Sequence, residues 1–196
     1  DDILMDEQGA IPWGDISPTH ALMGRLGNVM MVNGETDHRL SVQQGEVVRF
    51  FLTNVANSRT FNVTFGENPL KIVASDVGRY EREMWINSVV IAPAERYVVD
   101  VRFEDPGTVA ISNTIQAINH FRGEFYPQVD TLSMVTVSES VADPLISKAF
   151  ETLREHQDVI SDIDSFRPYF DKEPDHELET TVRVRDLPQS IVLAME

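Results

Sequence analysis

Cysteine is absent from this 196-residue chain, so the chain can form neither a disulfide bond nor a metal centre with a thiolate ligand. The sequence also lacks a run of about 18 apolar residues, the minimum for a membrane-spanning helix. Basic residues are scarce: 16 Lys and Arg stand against 32 Asp and Glu, which gives a formal net charge of −16. Because nucleic acids and anionic membranes bind positively charged surfaces, this charge argues against both as partners.

Motifs for metal binding and catalysis are missing as well. The five histidines are scattered without an H-x-H pair: His20, His38, His120, His156 and His176. A zinc or copper centre needs three or four converging nitrogen or sulfur donors. The sequence has no G-x-S-x-G nucleophile motif and no phosphate-binding glycine loop. It therefore predicts no catalytic, cofactor-binding or metal-binding residue in this chain.

What is present is a long region of β-strand signals, residues 27–138. Residues 29–32 form a short apolar run that ends at Asn33-Gly34, a dipeptide typical of the type I′ hairpin turn. Apolar and polar residues alternate in 61–65 and again in 97–103, the pattern of half-buried strands. Short strands punctuated by glycine and proline predict an antiparallel β-sandwich or barrel rather than βαβ units.

The pattern becomes helical after Val141. Asp143-Pro144 combines a preferred N-cap residue with proline at the first helical position. Apolar residues then recur at helical spacing up to Pro168, which ends or restarts the helix. These residues are Leu145, Ile146, Ala149, Phe150, Leu153, Ile160 and Ile163. We expect a helical segment packed on the sandwich; the alternative is an amphipathic helix that binds a partner.

Both ends of the sequence have the character of an interrupted polypeptide. The chain begins at Asp1, without an initiator methionine or a signal-peptide pattern. Its last residues, 190–196, form an apolar, strand-like run that stops before any turn. We interpret the chain as a piece of a longer protein; a processed or trimmed protein predicts the same features.

A series of segments, in this order, resembles the second, or middle, cupredoxin domain of the laccase-like multicopper oxidases. They are 27–34, 40–42, 45–54, 56–63, 74–78 and 89–101. The last two are similar to the family pattern D-G-G … L-x-P-G-E-R-x-D-V. Val77 replaces a glycine in the first of them, and Ala94 replaces the glycine in the second. Residues 1–9 are similar to the lead-in to that domain, and 180–196 to the first strand of the domain that follows.

The resemblance implies an all-β fold, a cupredoxin-like Greek-key β-sandwich with a C-terminal helical linker segment. It divides the chain into four parts. These are a lead-in segment from the preceding domain (1–26), the cupredoxin-like domain of the middle type (27–140), the helical linker (141–179) and the start of the following domain's first strand (180–196).

In three-domain members of this family, the first and third domains supply the copper ligands and the middle domain carries none. The resemblance therefore implies no cofactor in this chain and copper in the flanking domains of the parent protein. The parent would oxidise phenolic or metal-ion donors and reduce dioxygen to water. This chain, not catalytic alone, would be a structural spacer and a wall of the substrate channel.

The same resemblance implies the partners and the location. The partners would be the flanking cupredoxin domains of the same polypeptide, and self-association of the isolated fragment is a further expectation. The location would be extracytoplasmic, either periplasmic or secreted.

Two other functions remain open. One is a copper-free relative of the multicopper oxidases that serves as a structural or interaction protein. The other is an independent β-sandwich binding module with a small-molecule or carbohydrate groove. The copper ligands that separate an oxidase from a copper-free relative would lie outside this chain.

Overall fold

Two β-sheets pack face to face, and short helices follow them. A computed structural model describes residues 1–12, 24–76, 78–119, 122 and 124–180. The strands are β1 (Asp2–Ile3), β2 (Val29–Met30), β3 (Arg39–Gln44), β4 (Glu46–Thr53), β5 (Phe61–Phe65), β6 (Leu70–Ser75), β7 (Gly78–Ile86), β8 (Val89–Ile91), β9 (Arg96–Phe103), β10 (Gly107–Asn119) and β11 (Glu124–Val141). The helices are α1 (Pro144–Glu151), α2 (Gln157–Asp164) and a 3-10 helix (Arg167–Tyr169).

The strand order is that of a two-layer sandwich. One sheet has the order β3-β11-β10-β5-β8 and the other β4-β9-β6-β7, while β1 and β2 pair separately. This confirms the predicted all-β, cupredoxin-like Greek-key sandwich with a helical C-terminal segment. One described pair, β3 with β11, is parallel rather than antiparallel. These strands are the first and last of the sandwich, so no local turn signal could have revealed how they pair.

The core lies between the sheets and follows the alternation seen in the sequence. In β5, Phe61, Val63 and Phe65 are buried, whereas Asn62 and Thr64 are half-buried on the outer side. The inward residues of β9 from Val99 to Phe103 have no exposed surface. Burial of each such side chain stabilises the fold by about 1.5–3 kcal/mol, so the alternating residues fix which face of each strand turns inward.

The Asn33-Gly34 turn has the predicted conformation. Asn33 has φ +53° and Gly34 has φ +83°, and positive φ at both central residues is the mark of a type I′ turn. Val32 and Glu35 close the turn with two backbone hydrogen bonds of 2.9 and 3.0 Å. The prediction made from this dipeptide is confirmed.

The predicted helical stretch is present but is divided into two helices. Helix α1 buries Phe150 and α2 buries Ile160, which are 5% and 7% exposed. Leu153, one of the apolar residues predicted to recur at helical spacing, lies between the helices and is 41% exposed. No helix among the described residues has the length and apolar character needed to cross a membrane.

The helices are separated because residues 152–156 run along strand β7. The backbone N–H of Glu83 donates to the carbonyl of Arg154 (3.0 Å), and that of His156 donates to the carbonyl of Glu81 (2.9 Å). Strand β7 is at the edge of its sheet, so its backbone groups need partners. Helical periodicity in a sequence does not reveal an edge strand that competes for the same backbone.

The predicted domain boundaries stay predictions. Residues 13–23 of the lead-in and 181–196 of the predicted final strand lie outside the described residues.

The turn before β9 holds an alanine where the family pattern has glycine. Ala94 has φ +70°, a region in which an L-residue is less stable by about 1–2 kcal/mol. Its N–H donates to the carbonyl of Asn54 (2.9 Å), and Glu95 N–H donates to the carbonyl of Ala92 (3.1 Å). These hydrogen bonds keep Ala94 in the unfavourable conformation.

We therefore expect Ala94→Gly to raise the free energy of unfolding by about 0.5–1 kcal/mol, because relief of backbone strain exceeds the added entropy of the unfolded chain. Urea unfolding measures the change. Ala92→Gly is the matched control in the same turn. Ala92 does not have a positive φ, so its replacement should lower stability. If Ala94→Gly is no more stable than the unaltered protein, the backbone of Ala94 is not strained and this prediction is wrong.

Candidate functional site

A buried ion pair holds the segment that leads into the sandwich. Oδ2 of Asp2 accepts hydrogen bonds from Nε of Arg59 (2.7 Å) and from the N–H of Gly27 (2.6 Å). The Arg59 guanidinium also donates to the carbonyl of Gly27 (2.8 Å). We call Asp2, Gly27 and Arg59 the lead-in clamp. Both charged side chains are buried, so removal of one partner would destabilise the fold by about 3–5 kcal/mol.

Close backbone packing explains the glycine in the lead-in clamp. A Cβ atom on Gly27 would lie 2.5 Å from the backbone nitrogen of Ile3. On the other side, Asn54 donates from Nδ2 to the carbonyl of Arg59 (2.7 Å), which fixes the backbone that carries the guanidinium. The lead-in strand is therefore attached to the sandwich through side-chain and backbone contacts together.

A second buried ionic group lies on the outer face of the four-stranded sheet. The register places Lys71 of β6 opposite Asp100 of β9. Nζ of Lys71 is 3.7 Å from a carboxylate oxygen of Glu83 and 3.9 Å from one of Asp100. Arg49 donates two hydrogen bonds to Asp100, of 2.7 and 2.9 Å. We call Lys71, Glu83 and Asp100 the outer-face charge cluster.

The outer-face charge cluster holds the helical linker on the sheet. Nζ of Lys71 donates to the carbonyls of Phe150 (3.1 Å) and Ala149 (3.4 Å), at the C-terminal end of α1. The last carbonyls of a helix lack helical partners and carry partial negative charge, so a buried ammonium group satisfies both needs.

The ring of Phe150 closes over the cluster. It meets Trp85 edge to face, with centroids 4.9 Å apart. Nζ of Lys71 and the guanidinium of Arg102 each lie 5.3 Å from its centroid. Cation–π contacts of this kind are strongest where water is excluded, so the aromatic ring both covers and stabilises the buried charge.

Arg154 joins Glu83 to the segment after α1. Its backbone N–H and its Nε donate to the Glu83 carboxylate at 3.0 and 2.7 Å. Burial raises the pKa of Glu83, but the hydrogen bonds from Arg154 and the charges of Lys71 and Arg154 outweigh it and hold the pKa below its ordinary value of 4.5. The ionised Glu83 carboxylate therefore stabilises the folded state above about pH 4.5. This contribution is lost as the pH falls through the lower pKa that Glu83 has in the folded state.

Glu83→Gln should lower the free energy of unfolding at pH 7 by about 3 kcal/mol, because Lys71 and Arg154 lose their buried counter-charge. The difference in unfolding free energy between Glu83→Gln and the unaltered protein should narrow below pH 4.5, where Glu83 itself takes up a proton. Urea unfolding between pH 7 and pH 3 measures both effects.

The exposed Glu67 gives a matched control, since Glu67→Gln removes the same charge without a buried partner. It should leave the stability within about 0.5 kcal/mol at every pH. A Glu83→Gln effect that stays constant with pH would rule out the ionised carboxylate as its cause.

The histidines contribute no cluster in the described part of the chain. His20 and His120 lie outside the described residues. His176 is exposed, whereas His38 and His156 bond to neighbouring side chains through Nδ1.

The described residues do not fit a copper centre. No group of three or more His, Asp or Glu side chains among them could hold a metal ion. Nδ1 of His156 lies 3.3 Å from the guanidinium of Arg79, and a positive charge at that distance opposes a bound cation. We derive no copper chemistry from this chain. That it contains no catalytic, cofactor-binding or metal-binding residue stays a prediction.

Sequence reasoning missed both ionic groups. Asp2 and Arg59 are 57 positions apart, so no local pattern joins them. Lys71 did leave a signal: it stands inside an apolar strand, 70–73, all of whose residues are buried. A charge within a strand that is buried on both faces requires a partner.

Comparison with known proteins shows similarity of both sequence and fold. The sequence matches the family model described as "Multicopper oxidase" over residues 7–129, more than half of the chain. "Cell division protein FtsP" of Photorhabdus laumondii is 27% identical over 133 residues, which is 66% of this chain and 28% of that protein. "Multicopper oxidase LPR1 homolog 5" of Oryza sativa subsp. japonica is 37% identical over 80 residues, which is 40% of this chain and 12% of that protein.

Solved structures share the fold. McoA multicopper oxidase from Aquifex aeolicus has a TM-score of 0.56 at 19% identity, covering 72% of this chain and 30% of that one. A laccase-like multicopper oxidase, CueO from Ochrobactrum sp., has a TM-score of 0.53 at 24% identity, covering 66% of this chain and 29% of that one. At such identities the likeness shows the fold alone, and the chain spans only about a third or less of each of these proteins.

Proposed function

Because the chain belongs to the multicopper oxidase family, we propose that it is the middle cupredoxin-like domain of a longer protein. Its own function is to hold two flanking cupredoxin domains in a fixed relative position. The observation that supports this most directly is the pair of buried ionic groups. The lead-in clamp fixes the chain where it enters the sandwich, and the outer-face charge cluster fixes it where it leaves.

Buried ion pairs are suited to such a role because they specify one geometry. An ionic group removed from water is stable only when its partners stay in place. A segment attached by hydrophobic contacts alone could slide. When a segment is attached by the Asp2–Arg59 pair, or by the hydrogen bonds from Lys71 to the end of α1, its movement leaves a buried charge without a partner, at a cost of several kcal/mol. A site formed between two remote domains depends on geometry fixed to within about 0.5 Å, and a rigid spacer supplies it.

The first candidate for the parent protein is an oxidase. It would oxidise phenolic or metal-ion donors and reduce dioxygen to water, with copper held by the flanking domains and this domain as a wall of the substrate channel. An extracytoplasmic location accompanies this proposal. Membership of the family supports it.

The second candidate is a copper-free structural or interaction protein. Relatives named "Cell division protein FtsP" in Photorhabdus laumondii, Dickeya dadantii and Yersinia pestis support it. This domain would have the same spacer role in either parent. Metal analysis of the purified full-length protein separates the candidates: an oxidase carries copper in stoichiometric amount with a thiolate-to-copper absorption band, and the structural protein carries none.

A projecting hairpin offers a surface for a flanking domain. Residues 114–119 and 124–129 continue the β10–β11 pairing beyond Asn113, the last residue of β10 that pairs with β5. We call these residues the hairpin arm. Phe125 and Val129 on it are each 64% exposed. A two-stranded ribbon is marginally stable in water, and exposed apolar surface on such a ribbon favours a docking partner.

A groove at the base of the hairpin arm extends this surface. It has a volume of about 450 Å³ and lies between Ile115 and the exposed side chains of Leu26 and Val90. Relatives are three to eight times as long as the matched part, so a flanking domain of the same polypeptide is the occupant we propose. Self-association through this surface is the alternative when the fragment is isolated.

Phe125→Thr combined with Val129→Thr should lower the unfolding temperature of the full-length protein, because the arm loses apolar contact with the flanking domain. The same pair of changes should alter the stability of the 196-residue chain by no more than about 0.5 kcal/mol, since both side chains are exposed there. Scanning calorimetry of both proteins measures the contrast.

Val141→Thr serves as the control, because Val141 is 72% exposed on the same strand but away from the hairpin arm. It should have no effect in either protein. An equal loss of stability in both proteins after the arm substitutions would show that the arm supports its own domain instead.

A further inference from the structure

A cavity of about 660 Å³ opens into the sandwich between β3 and β4. Leu40 of β3 and Val48, Phe50 and Leu52 of β4 line its walls, and Phe65 lies deeper in the same cavity. β3 and β4 are edge strands of the two different sheets, so the cavity reaches the core through one open side of the sandwich.

The lining of the cavity is mainly apolar. Phe51 and Val55 extend the apolar surface to the mouth, where they are 77% and 64% exposed. Pockets that bind small molecules typically have volumes of about 300–1,000 Å³, apolar walls and a few placed polar groups. Water in an apolar cavity lacks hydrogen-bond partners, so an apolar molecule would replace it favourably.

One polar group in the lining has a defined hydrogen-bonding role. The hydroxyl of Ser133 donates to the carbonyl of His38 (2.9 Å). The same oxygen lies 2.8 Å from Nδ1 of His38. Because a hydroxyl has one hydrogen, already given to the carbonyl, the ring must donate from Nδ1. When this imidazole is neutral, its single proton is therefore on Nδ1, and Nε2 carries the lone pair.

We propose that this cavity binds a mainly apolar small molecule bearing one hydroxyl group, which donates a hydrogen bond to Nε2 of His38. This site is separate from the spacer role and does not depend on it. The ligand is recognised by its shape against the apolar walls and by the position of a single donor.

Other ligand classes fit the lining less well. A carbohydrate needs many hydrogen-bond partners, and Asn54 is already engaged: its Nδ2 donates to the carbonyls of Arg59 and Ile91, and its Oδ1 accepts from Ala56. An anionic ligand would find no lysine or arginine side chain among the described residues of the lining.

Borneol and camphor form a matched pair of probes, since they share one rigid apolar skeleton but only borneol has a hydroxyl donor. Isothermal titration calorimetry on the full-length protein should show borneol binding about 3- to 10-fold more tightly than camphor, the effect of one hydrogen bond. In His38→Phe, which keeps a ring, the two probes should bind equally.

Ser133→Ala tests the same claim without removing the imidazole. It frees the ring to place its proton on either nitrogen, so the preference for borneol should shrink while camphor binding is kept. The methyl resonance of Met31, a residue of the cavity lining, should shift on addition of either probe, whereas that of the exposed Met84, which is not part of the lining, should not.

Three results would overturn the proposal. The first is equal affinity for both probes in the unaltered protein. The second is binding without a shift of the Met31 resonance. The third is binding to the 196-residue chain but not to the full-length protein, which would mean that another domain covers the cavity.

Discussion

The buried ammonium group of Lys71 is the contact on which the attachment of the helical linker to the sheet depends. It lies under the linker, close to the carboxylates of Glu83 and Asp100, and donates to carbonyls at the end of α1. An unpaired charge at this depth would be unstable. The linker supplies partners for a buried charge of the sheet, and the sheet in turn holds the linker in place. The segment after the sandwich is therefore part of the fold.

The lead-in clamp applies the same constraint at the other end. The Asp2 carboxylate accepts hydrogen bonds from both Arg59 and the backbone of Gly27. The two backbone segments lie so close together that no residue larger than glycine fits at position 27. In this domain, buried charges hold both the segment that enters the sandwich and the segment that leaves it. Such a domain is suited to keeping its neighbours in fixed relative positions. The proposed spacer function would give a physical reason for a copper-fold domain without cysteine, because a spacer contributes geometry and requires no redox chemistry.

Much of the sandwich could be predicted from the sequence because local chemistry determines it. Alternation in β5 and β9 indicated which residues face the core, and Asn33-Gly34 indicated its own turn type. The parallel pairing of β3 with β11 could not be predicted, since it joins strands far apart in the chain. The division of the linker helix depends on the free edge of β7, and the Asp2–Arg59 pair on contacts between distant segments; neither has a local signal. Ala94 shows how a departure from the family pattern at a glycine position leaves strain in an otherwise ordinary turn.

The claim that this domain fixes the relative position of its neighbours can be tested directly by distance measurement. Spin labels on the two flanking domains of the full-length protein, read by double electron–electron resonance, report the spread of distances between them. We predict one narrow distribution in the unaltered protein and a broader one in Glu83→Gln. A broad distribution in the unaltered protein, or one that Glu83→Gln leaves unchanged, would contradict the spacer function.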